Sequence, residues 1–317
     1  VRYWPIFGEP KGTLIIRMDG IGDMVLFRRT LDDYVNLLGG GKSEFTLLGC
    51  KSWEPISREI FNGYRLIMID EHAFARQPFY RFKISLKVRQ LNVRHAINDS
   101  YFRRAMMADS LVWLSGAPET TASLPFINEP TRSEFNYYLS QVSRVIDTGP
   151  YPTHETIRHY RFLTALTGET CAPRHPTIPW RAHNLLKGSR YVVLNPGSNE
   201  HGRRWPFDNY VEIAKRLLDN GYRVVVVGGP GEETGDYKKF LGHNKDVLDL
   251  VGKTKLPELL DILNSATATL SNDTGPAHLS IALGTSTVVI VGGGHFGSFV
   301  PYPETTPPSN VRFVFEK

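Results

Sequence analysis

The chain has 317 residues, of which 41% are hydrophobic and 22% charged, and its formal net charge is +5. This composition is typical of a globular protein, and the length suits two domains of ordinary size. No apolar run approaches the ~20 residues that a membrane-spanning helix needs, so the sequence predicts no such helix. The first residues, VRYWPIFGEPKG, also lack the basic-then-apolar pattern of a signal peptide.

The cysteines and the charge indicate the compartment and the partners. Cys50 and Cys171 are far apart in the sequence and have no metal-type neighbours, which predicts a reducing cytoplasm and argues against a disulfide framework or a zinc site. The positive charge favours nucleotides, phosphorylated glycans or an anionic membrane face. Nucleic acid is not expected, because the basic residues match no nucleic-acid motif. The densest basic segment, residues 76–104, is interpreted first as a solvated face.

Short apolar segments alternate with helical ones in the first half of the chain, which is typical of βαβ units and a parallel sheet. Residues 21–38 follow a Gly-rich turn and are predicted to be a helix, and residues 154–166 form a second helix closed by Gly168. Residues 73–104 are predicted to be helical with loops. The predicted strands are residues 13–17, 45–48 and 65–69.

Three prolines mark residues 171–180 as a linker, and a second alternating series follows it. Its predicted helices are residues 208–220, with Gly221 as the closing glycine, and 256–265. Its predicted strands are residues 191–194, 223–227, 247–250, 267–270 and 287–291. The sequence therefore predicts an α/β fold with two Rossmann-like domains, residues 1–172 and 173–317, whose parallel sheets face each other across a cleft. A helix is expected to cover the strand at residues 311–315, so we expect further residues after Lys317.

The loop Asp19-Gly20-Ile21-Gly22-Asp23 directly follows the first strand and opens the first helix. Gly20 and Gly22 fit the start of a dinucleotide fingerprint, but Val25 occupies the place of its third small residue. The second strand ends at Gly49-Cys50-Lys51 rather than at an acidic residue, so NAD binding is not favoured. Asp23 is left as a carboxylate at a helix start, and both a helix cap and a catalytic base stay open for it.

Residues 191–206, YVVLNPGSNEHGRRWP, are the most informative part of the chain. A strand reaches Asn195, a Gly197-Ser198 turn follows, and Arg203-Arg204 precede a helix. Backbone N–H groups, the helix dipole and guanidinium groups all favour an anion at such a point. The segment predicts a phosphate site, with an ordinary strand-to-helix connection as the alternative.

Residues 271–278, SNDTGPAH, form a second cluster of the same kind. A strand ends there and Gly275 begins a helix, which Asp273 and Thr274 are placed to cap. The free N–H groups of that helix would meet a diphosphate, with His278 in its first turn beside the same anion.

The strand RVVVV is followed by Gly229 and Glu232. The glycine permits close approach of a ligand and the glutamate could accept from ribose hydroxyls, with a plain tight turn as the alternative. The chain contains no Asp-x-Asp pair for a divalent metal, so no metal site is predicted. Cations for a leaving diphosphate are then expected from Arg203, Arg204 and Lys253.

Four segments in this order resemble glycosyltransferase family 9, the heptosyltransferases of lipopolysaccharide core assembly. They are LIIRMDGIGDMVL, HETIRHYRFLTALTG, NPGSNEHGRRWPFDNYVEIAKRL and LVGKTKLPELLDILNSATATLSNDTGPAHLSIALGTSTVVIVG. The resemblance implies a GT-B fold and inverting, metal-independent transfer from a nucleotide-activated sugar, typically ADP-heptose, without a cofactor. We also expect a glycan or glycolipid acceptor, and a cytoplasmic protein that can associate peripherally with the inner membrane face.

The resemblance also implies roles for single residues. The family's catalytic aspartate falls on Asp23, as general base toward the acceptor hydroxyl. Its nucleotide and phosphate contacts fall on Gly197, Ser198, Arg203, Glu232, Asp273, Thr274, Gly275 and His278. The loops described above add Gly22, Asn195, Arg204, Gly229 and Lys253 to the predicted nucleotide-sugar site. A sugar-nucleotide epimerase of the same fold, or a non-catalytic nucleotide-sugar-binding protein, is the alternative.

Overall fold

The computed structural model describes residues 1–181, 190–232, 244–304 and 308–315. The chain divides into two compact units, Val1–Pro173 and Arg174–Lys317. The predicted boundary between residues 172 and 173 lies one residue from this division. The roles assigned to the two domains, and the cleft between them, stay predictions.

The first unit contains a six-stranded parallel sheet with helices between its strands. Its strands are β1 Thr13–Arg17, β2 Phe45–Cys50, β3 Arg65–Ile69, β4 His95–Asn98, β5 Glu119–Ser123 and β6 Arg144–Ile146. Its α-helices are α1 Ile21–Leu38, α2 Glu54–Ile60, α3 Glu71–Arg76, α4 Pro78–Gln90, α5 Ser110–Ser115, α6 Arg132–Leu139 and α7 Glu155–Thr167. The strand order across the sheet is β3-β2-β1-β4-β5-β6.

The second unit contains another six-stranded parallel sheet. Its strands are β7 Tyr191–Asn195, β8 Arg223–Val226, β9 Val247–Asp249, β10 Ala268–Asn272, β11 Thr287–Ile290 and β12 Val311–Val314. The α-helices of its described part are α8 Phe207–Asp219, α9 Leu256–Ser265 and α10 Gly275–Ala282. The strand order across this sheet is β9-β8-β7-β10-β11-β12, which repeats the order of the first sheet with β7 in the place of β1.

The central strands are apolar because each is covered on both faces. Strands of a parallel sheet carry helices on either side, so they favour continuous runs of large aliphatic residues rather than alternation. Leu14, Ile15 and Ile16 of β1 are fully buried, and β7 is buried along its whole length. Both strands end in a polar side chain, Arg17 and Asn195, at the carboxyl edge of their sheets.

The predicted strands and helices are confirmed to within a few residues, and Gly168 and Gly221 have the positive φ expected of closing glycines. The interpretation of residues 73–104 as helical with loops is wrong in part, because β4 lies within them. The strands β5 and β6 were not predicted either. The sequences HAIN, ETTAS and RVI are short and lack an apolar run, so their strand conformation depends on neighbouring strands rather than on local pattern.

The strand order reverses between β1 and β4 in the first sheet and between β7 and β10 in the second. Helices leave such a point toward opposite faces, so a crevice opens at the carboxyl ends of the two strands. The predicted Asp23 loop follows β1, and the two predicted phosphate loops follow β7 and β10. In the described part of the chain, no helix combines the length and apolarity needed to cross a bilayer.

Candidate functional site

Asn195 joins the carboxyl ends of β7 and β10. Its buried Nδ2 donates to the hydroxyls of Ser271 and Thr274, both at 2.8 Å. Thr274 is the N-cap residue of α10 with an extended backbone, as predicted. Its side chain does not cap the helix, however, and no cap hydrogen bond is found there among the described residues, because Asn195 and the carbonyl of Asn272 engage that hydroxyl. The first N–H groups of α10 therefore stay available to an anion.

Asn272, which sequence reasoning missed as a site residue, holds the loop after β7 in place. Its Nδ2 donates to the carbonyl of Pro196 at 2.7 Å. Its Oδ1 accepts from the backbone N–H of Trp205 at 3.1 Å and from the hydroxyl of Tyr210 at 2.9 Å. Its Nδ2 also donates to the carbonyl of Gly197 at 3.4 Å. A buried amide with four partners fixes a loop because each lost bond would leave a buried polar group unpaired. The signal in the sequence was a carboxamide at the last position of β10.

Arg203 belongs to the loop after β7 and reaches the loop after β10. Its Nη2 contacts Glu200 Oε1 at 2.7 Å, and its Nη1 donates to the backbone carbonyl of Asp273 at 3.3 Å and lies 3.7 Å from that residue's Oδ2. Its Nε is buried and has no hydrogen-bond partner in the described ranges. A guanidinium with an unused donor beside a helix N-terminus suits a phosphate oxygen.

Asp273 and His278 form a buried pair behind this position. The Nε2 of His278 lies 3.6 Å from Asp273 Oδ1, and its Nδ1 lies 2.8 Å from the hydroxyl of Tyr302. Burial raises the pKa of Asp273, but the hydrogen bond and charge of His278, with the charge of Arg203, bring it below its ordinary value. The carboxylate is therefore ionised at neutral pH. Both ring nitrogens of His278 face protein groups, and its predicted contact with phosphate stays a prediction.

Gly197 and Gly229 surround the carboxylate of Glu232. The backbone N–H of Gly229 donates to Glu232 Oε2 at 2.8 Å. A Cβ added at Gly197 would lie 2.0 Å from the same oxygen, so a side chain there requires the glutamate to move. The structure thus brings Glu232 from the end of β8 against the loop after β7, as a hydrogen-bond acceptor between two close backbone segments.

The other predicted cations differ in their surroundings. Arg204 Nε donates to the carbonyl of Ser198 at 2.8 Å, and Ser198 is buried in the same loop. Lys253 is exposed and pairs with Asp249, whose Oδ2 lies 3.1 Å from its Nζ. Lys253 is therefore tied to the residue that ends β9, and its predicted role toward a diphosphate stays a prediction.

In the first unit, Gly22 and Asp23 lie in the first turn of α1, as predicted. The N-cap residue is Gly20 and Asp23 is the third residue of α1, so the choice between a cap and a catalytic base for Asp23 stays a prediction. A Cβ at Gly20 would lie 3.5 Å from Asp23 Oδ2, which places the carboxylate close to the turn after β1. Asp23 is partly buried at a helix start, where the helix dipole favours a negative charge.

A buried ionic network that was not predicted lies beside this turn. Arg17 contacts Asp19 through Nε at 2.5 Å and Asp99 through Nη1 at 2.7 Å, and it covers the ring of Phe27. The hydroxyl of Tyr34 donates to Asp99 at 3.0 Å. Burial raises the pKa of Asp99, but Arg17 and its other partners lower it below the ordinary value. The carboxylate of Asp99 therefore stays ionised and fixes Arg17 at the end of β1.

Glu155 and His159 extend this network from α7. Burial, followed by the negative charge of Asp23, raises the pKa of Glu155 to about 8. Glu155 Oε1 lies 3.4 Å from Arg158 Nε. Burial and Arg17 lower the pKa of His159 to about 3, so its ring is neutral and its Nε2 accepts from Arg17 at 3.3 Å. Glu155 therefore holds a proton over much of the neutral range, and its charge state is linked to that of Asp23.

Within the described ranges, no group of three or more His, Cys, Asp or Glu side chains is arranged to hold a metal ion. Metal independence of any reaction stays a prediction, which a chelator tests directly.

Comparisons with known proteins agree with the motifs. The model of glycosyltransferase family 9 (heptosyltransferase) matches residues 152–307. Lipopolysaccharide heptosyltransferase 2 of Salmonella typhimurium is 24% identical over 241 residues, 68% of this chain and 64% of that protein. The chain thus spans less than two thirds of the length of this curated relative. The predicted resemblance to family 9 is confirmed.

Solved structures show the same fold. The glycosyl transferase family 9 structure from Veillonella parvula has a TM-score of 0.79 and 16% identity, covering 98% of this chain and 89% of that one. The E. coli heptosyltransferase WaaC with ADP-2-deoxy-2-fluoro heptose has a TM-score of 0.72 and 18% identity, covering 95% and 92%. The chain therefore has the predicted GT-B fold.

Proposed function

We propose that this chain, whose residues 152–307 match the model of glycosyltransferase family 9, transfers a heptose from ADP-heptose to an acceptor of the lipopolysaccharide core. The proposal takes its reaction class from the family and its donor from the relatives, one of which was solved with an ADP-heptose analogue. The acceptor is a glycan or glycolipid, and we place the reaction at the cytoplasmic face of the membrane.

The observation that carries the proposal is the anion-suited arrangement at β7 and β10. Asn195 fixes Thr274 at the start of α10, and Arg203 offers a buried donor without a partner among the described residues. Helix N–H groups and a guanidinium would then surround the diphosphate of the donor. Fixed donors of this kind stabilise the charge that grows on a leaving diphosphate, without reorganisation during the reaction.

The proposed reaction is a single displacement. The acceptor hydroxyl oxygen attacks the anomeric carbon as the bond from that carbon to the diphosphate oxygen breaks, and ADP leaves with the electron pair. Asp23 accepts the hydroxyl proton as general base. One displacement inverts the anomeric configuration, and the cationic groups of the protein take the place of a divalent metal at the diphosphate.

The test combines a binding screen with a product assay. ADP and ADP-heptose should raise Tm because they bind the folded state, whereas UDP, GDP and dTDP should have little effect. With a core acceptor, turnover should continue in EDTA and give a product of inverted anomeric configuration by NMR. Loss of activity in EDTA would contradict the prediction that the reaction needs no metal. Conversion of the donor without an acceptor would support an epimerase instead.

A further inference from the structure

The helix α4 carries apolar side chains on two opposite faces. Ile84 and Val88 are buried in the core of the first unit. At 100° per residue, Phe79, Phe82 and Leu86 form a stripe on the other side of the helix. Phe79 is 83% exposed and Phe82 is 49% exposed. A surface helix ordinarily has polar residues opposite its core face, so this outer stripe needs an explanation.

Cations flank the stripe without compensating acids. Lys83 and Lys87 are exposed on the same side of α4, and Arg76 is exposed at the end of α3. No Asp or Glu occurs between Glu71 and Asp99 in the sequence, and Asp99 is buried against Arg17. The basic segment that the sequence suggested to be a plain solvated face is therefore an aromatic and cationic one.

Contacts on the inner side fix the rotation of α4. Arg81 Nη2 donates to Ser110 Oγ at 3.1 Å, and its guanidinium lies over the ring of Phe74 at 4.7 Å. The hydroxyl of Tyr80 accepts from the backbone N–H of Asp70 at 3.0 Å. Turning Phe79 and Phe82 inward would break these bonds, so the outer stripe stays directed away from the core.

We propose that this outer face of α4 docks on an anionic lipid bilayer. Phe79 and Phe82 would enter the boundary between headgroups and acyl chains, while Lys83 and Lys87 would reach lipid phosphates. A second copy of the chain is a poorer occupant. A two-fold contact through this face would bring the lysines of both copies together, and α4 carries no acidic side chain to pair with them.

Docking deepens the proposed function and rests on it for the membrane location, but it requires neither the donor nor Asp23, so the two proposals can fail separately. The test is co-sedimentation of the whole chain with phosphatidylcholine vesicles, with or without phosphatidylglycerol. We expect binding to the anionic vesicles alone, weakened by salt because the lysines supply part of the attraction. Replacement of both aromatic residues, Phe79→Ser with Phe82→Ser, should weaken binding about tenfold or more.

Two control variants separate the sources of binding. Phe296→Ser removes a similarly exposed phenylalanine from the second unit and should bind vesicles like the wild type. Lys83→Glu with Lys87→Glu should abolish binding to anionic vesicles. ADP-dependent stabilisation checks that each variant is folded, and it reports on the proposed function separately.

Three outcomes would overturn the proposal. The first is equal binding of the double Phe variant and the wild type. The second is failure of the wild type to bind anionic vesicles better than neutral ones. The third is a dimer in sedimentation equilibrium without lipid that the Phe79→Ser, Phe82→Ser variant dissociates, which would assign the face to a second copy.

Discussion

The carboxamide nitrogen of Asn195 and the hydroxyl of Thr274 lie 2.8 Å apart and connect the end of β7 to the N-cap residue of α10. The two residues are 79 positions apart in the chain, so the contact forms only when the sheet is complete. Because Thr274 sets the start of α10, this contact also sets where the helix N–H groups point. The geometry of the proposed diphosphate site therefore depends on a neutral side-chain hydrogen bond.

Asn195→Ala should lower both stability and ADP affinity. The change leaves the buried hydroxyl of Ser271 and the half-buried hydroxyl of Thr274 without this donor, which costs about 1–3 kcal/mol. Thr274→Val should have a smaller effect, and the double variant should cost less than the sum, since both changes remove one shared bond. Urea unfolding and calorimetric titration with ADP measure the two effects. Full additivity would show that the contact contributes nothing.

Gly197→Ala should weaken ADP binding, because the new methyl group occupies the position of the Glu232 carboxylate. Displacing that carboxylate breaks its bond to the Gly229 N–H and moves the loop after β7. The matched control is Gly202→Ala, where a Cβ would have no described neighbour within 4 Å. Equal ADP affinity of the two variants would contradict a role for the close approach at Gly197.

Arg203→Gln should reduce ADP affinity by about 10- to 100-fold, because charge-assisted hydrogen bonds contribute about 1.5–3 kcal/mol. The ADP affinity of Arg203→Lys should lie between those of Arg203→Gln and the wild type, since lysine keeps the charge but lacks the planar guanidinium. The control is Arg216→Gln on α8, an exposed arginine that pairs with Glu212. The AMP affinity should change less than that of ADP, and an equal loss for both nucleotides would place Arg203 away from the diphosphate.

Asp23→Asn should abolish heptosyl transfer, because the amide cannot take the proton of the acceptor hydroxyl. It should preserve ADP binding, because Asp23 belongs to the first unit and the predicted nucleotide loops after β7, β8 and β10 belong to the second. Asp208→Asn, an exposed aspartate in the first turn of α8, is the control for a charge change at a helix start. Single-turnover assays, with the enzyme and the donor both in excess over the acceptor, report the chemical step. A variant with substantial turnover would exclude Asp23 as the general base.

Glu155 should make the protein less stable as the pH rises through the neutral range. Its pKa is about 8 in the folded chain against an ordinary value of 4.5, because burial and Asp23 disfavour its charge. The folded state therefore binds the proton more tightly, and stability falls from pH ~5 to pH ~8 before it levels off. The fall is on the order of a few kcal/mol, at ~1.4 kcal/mol per pKa unit.

Glu155→Gln imitates the protonated side chain and should remove this fall. Above pH ~8 the variant should have a higher Tm than the wild type, and near pH ~5 the two should be similar. Glu169→Gln changes an exposed glutamate just after α7 and should leave the pH dependence intact. Parallel Tm curves for Glu155→Gln and the wild type across this range would contradict the raised pKa.

Sequence patterns predicted the parts of the fold that are locally encoded. β1, β7 and the glycine-closed helices have apolar runs or closing glycines that specify them without the rest of the chain. β4 and β5 could not be predicted, since His95 and Thr121 are polar strand residues that bond to each other only across the completed sheet. The same limit applies at the site, because Tyr302 reaches His278 from 24 positions away.

The two units connect the ends of equivalent strands differently, the first by a buried ion pair and the second by a neutral hydrogen bond. In one, Arg17 at the end of β1 reaches Asp99 after β4; in the other, Asn195 at the end of β7 reaches Ser271 in β10. Removal of one member of a buried ion pair costs about 3–5 kcal/mol, against about 1–3 kcal/mol for a neutral bond. Substitutions at Arg17 and Asp99 should accordingly destabilise the protein more than substitutions at Asn195 and Ser271. Deep mutational scanning should find fewer tolerated substitutions at the first pair.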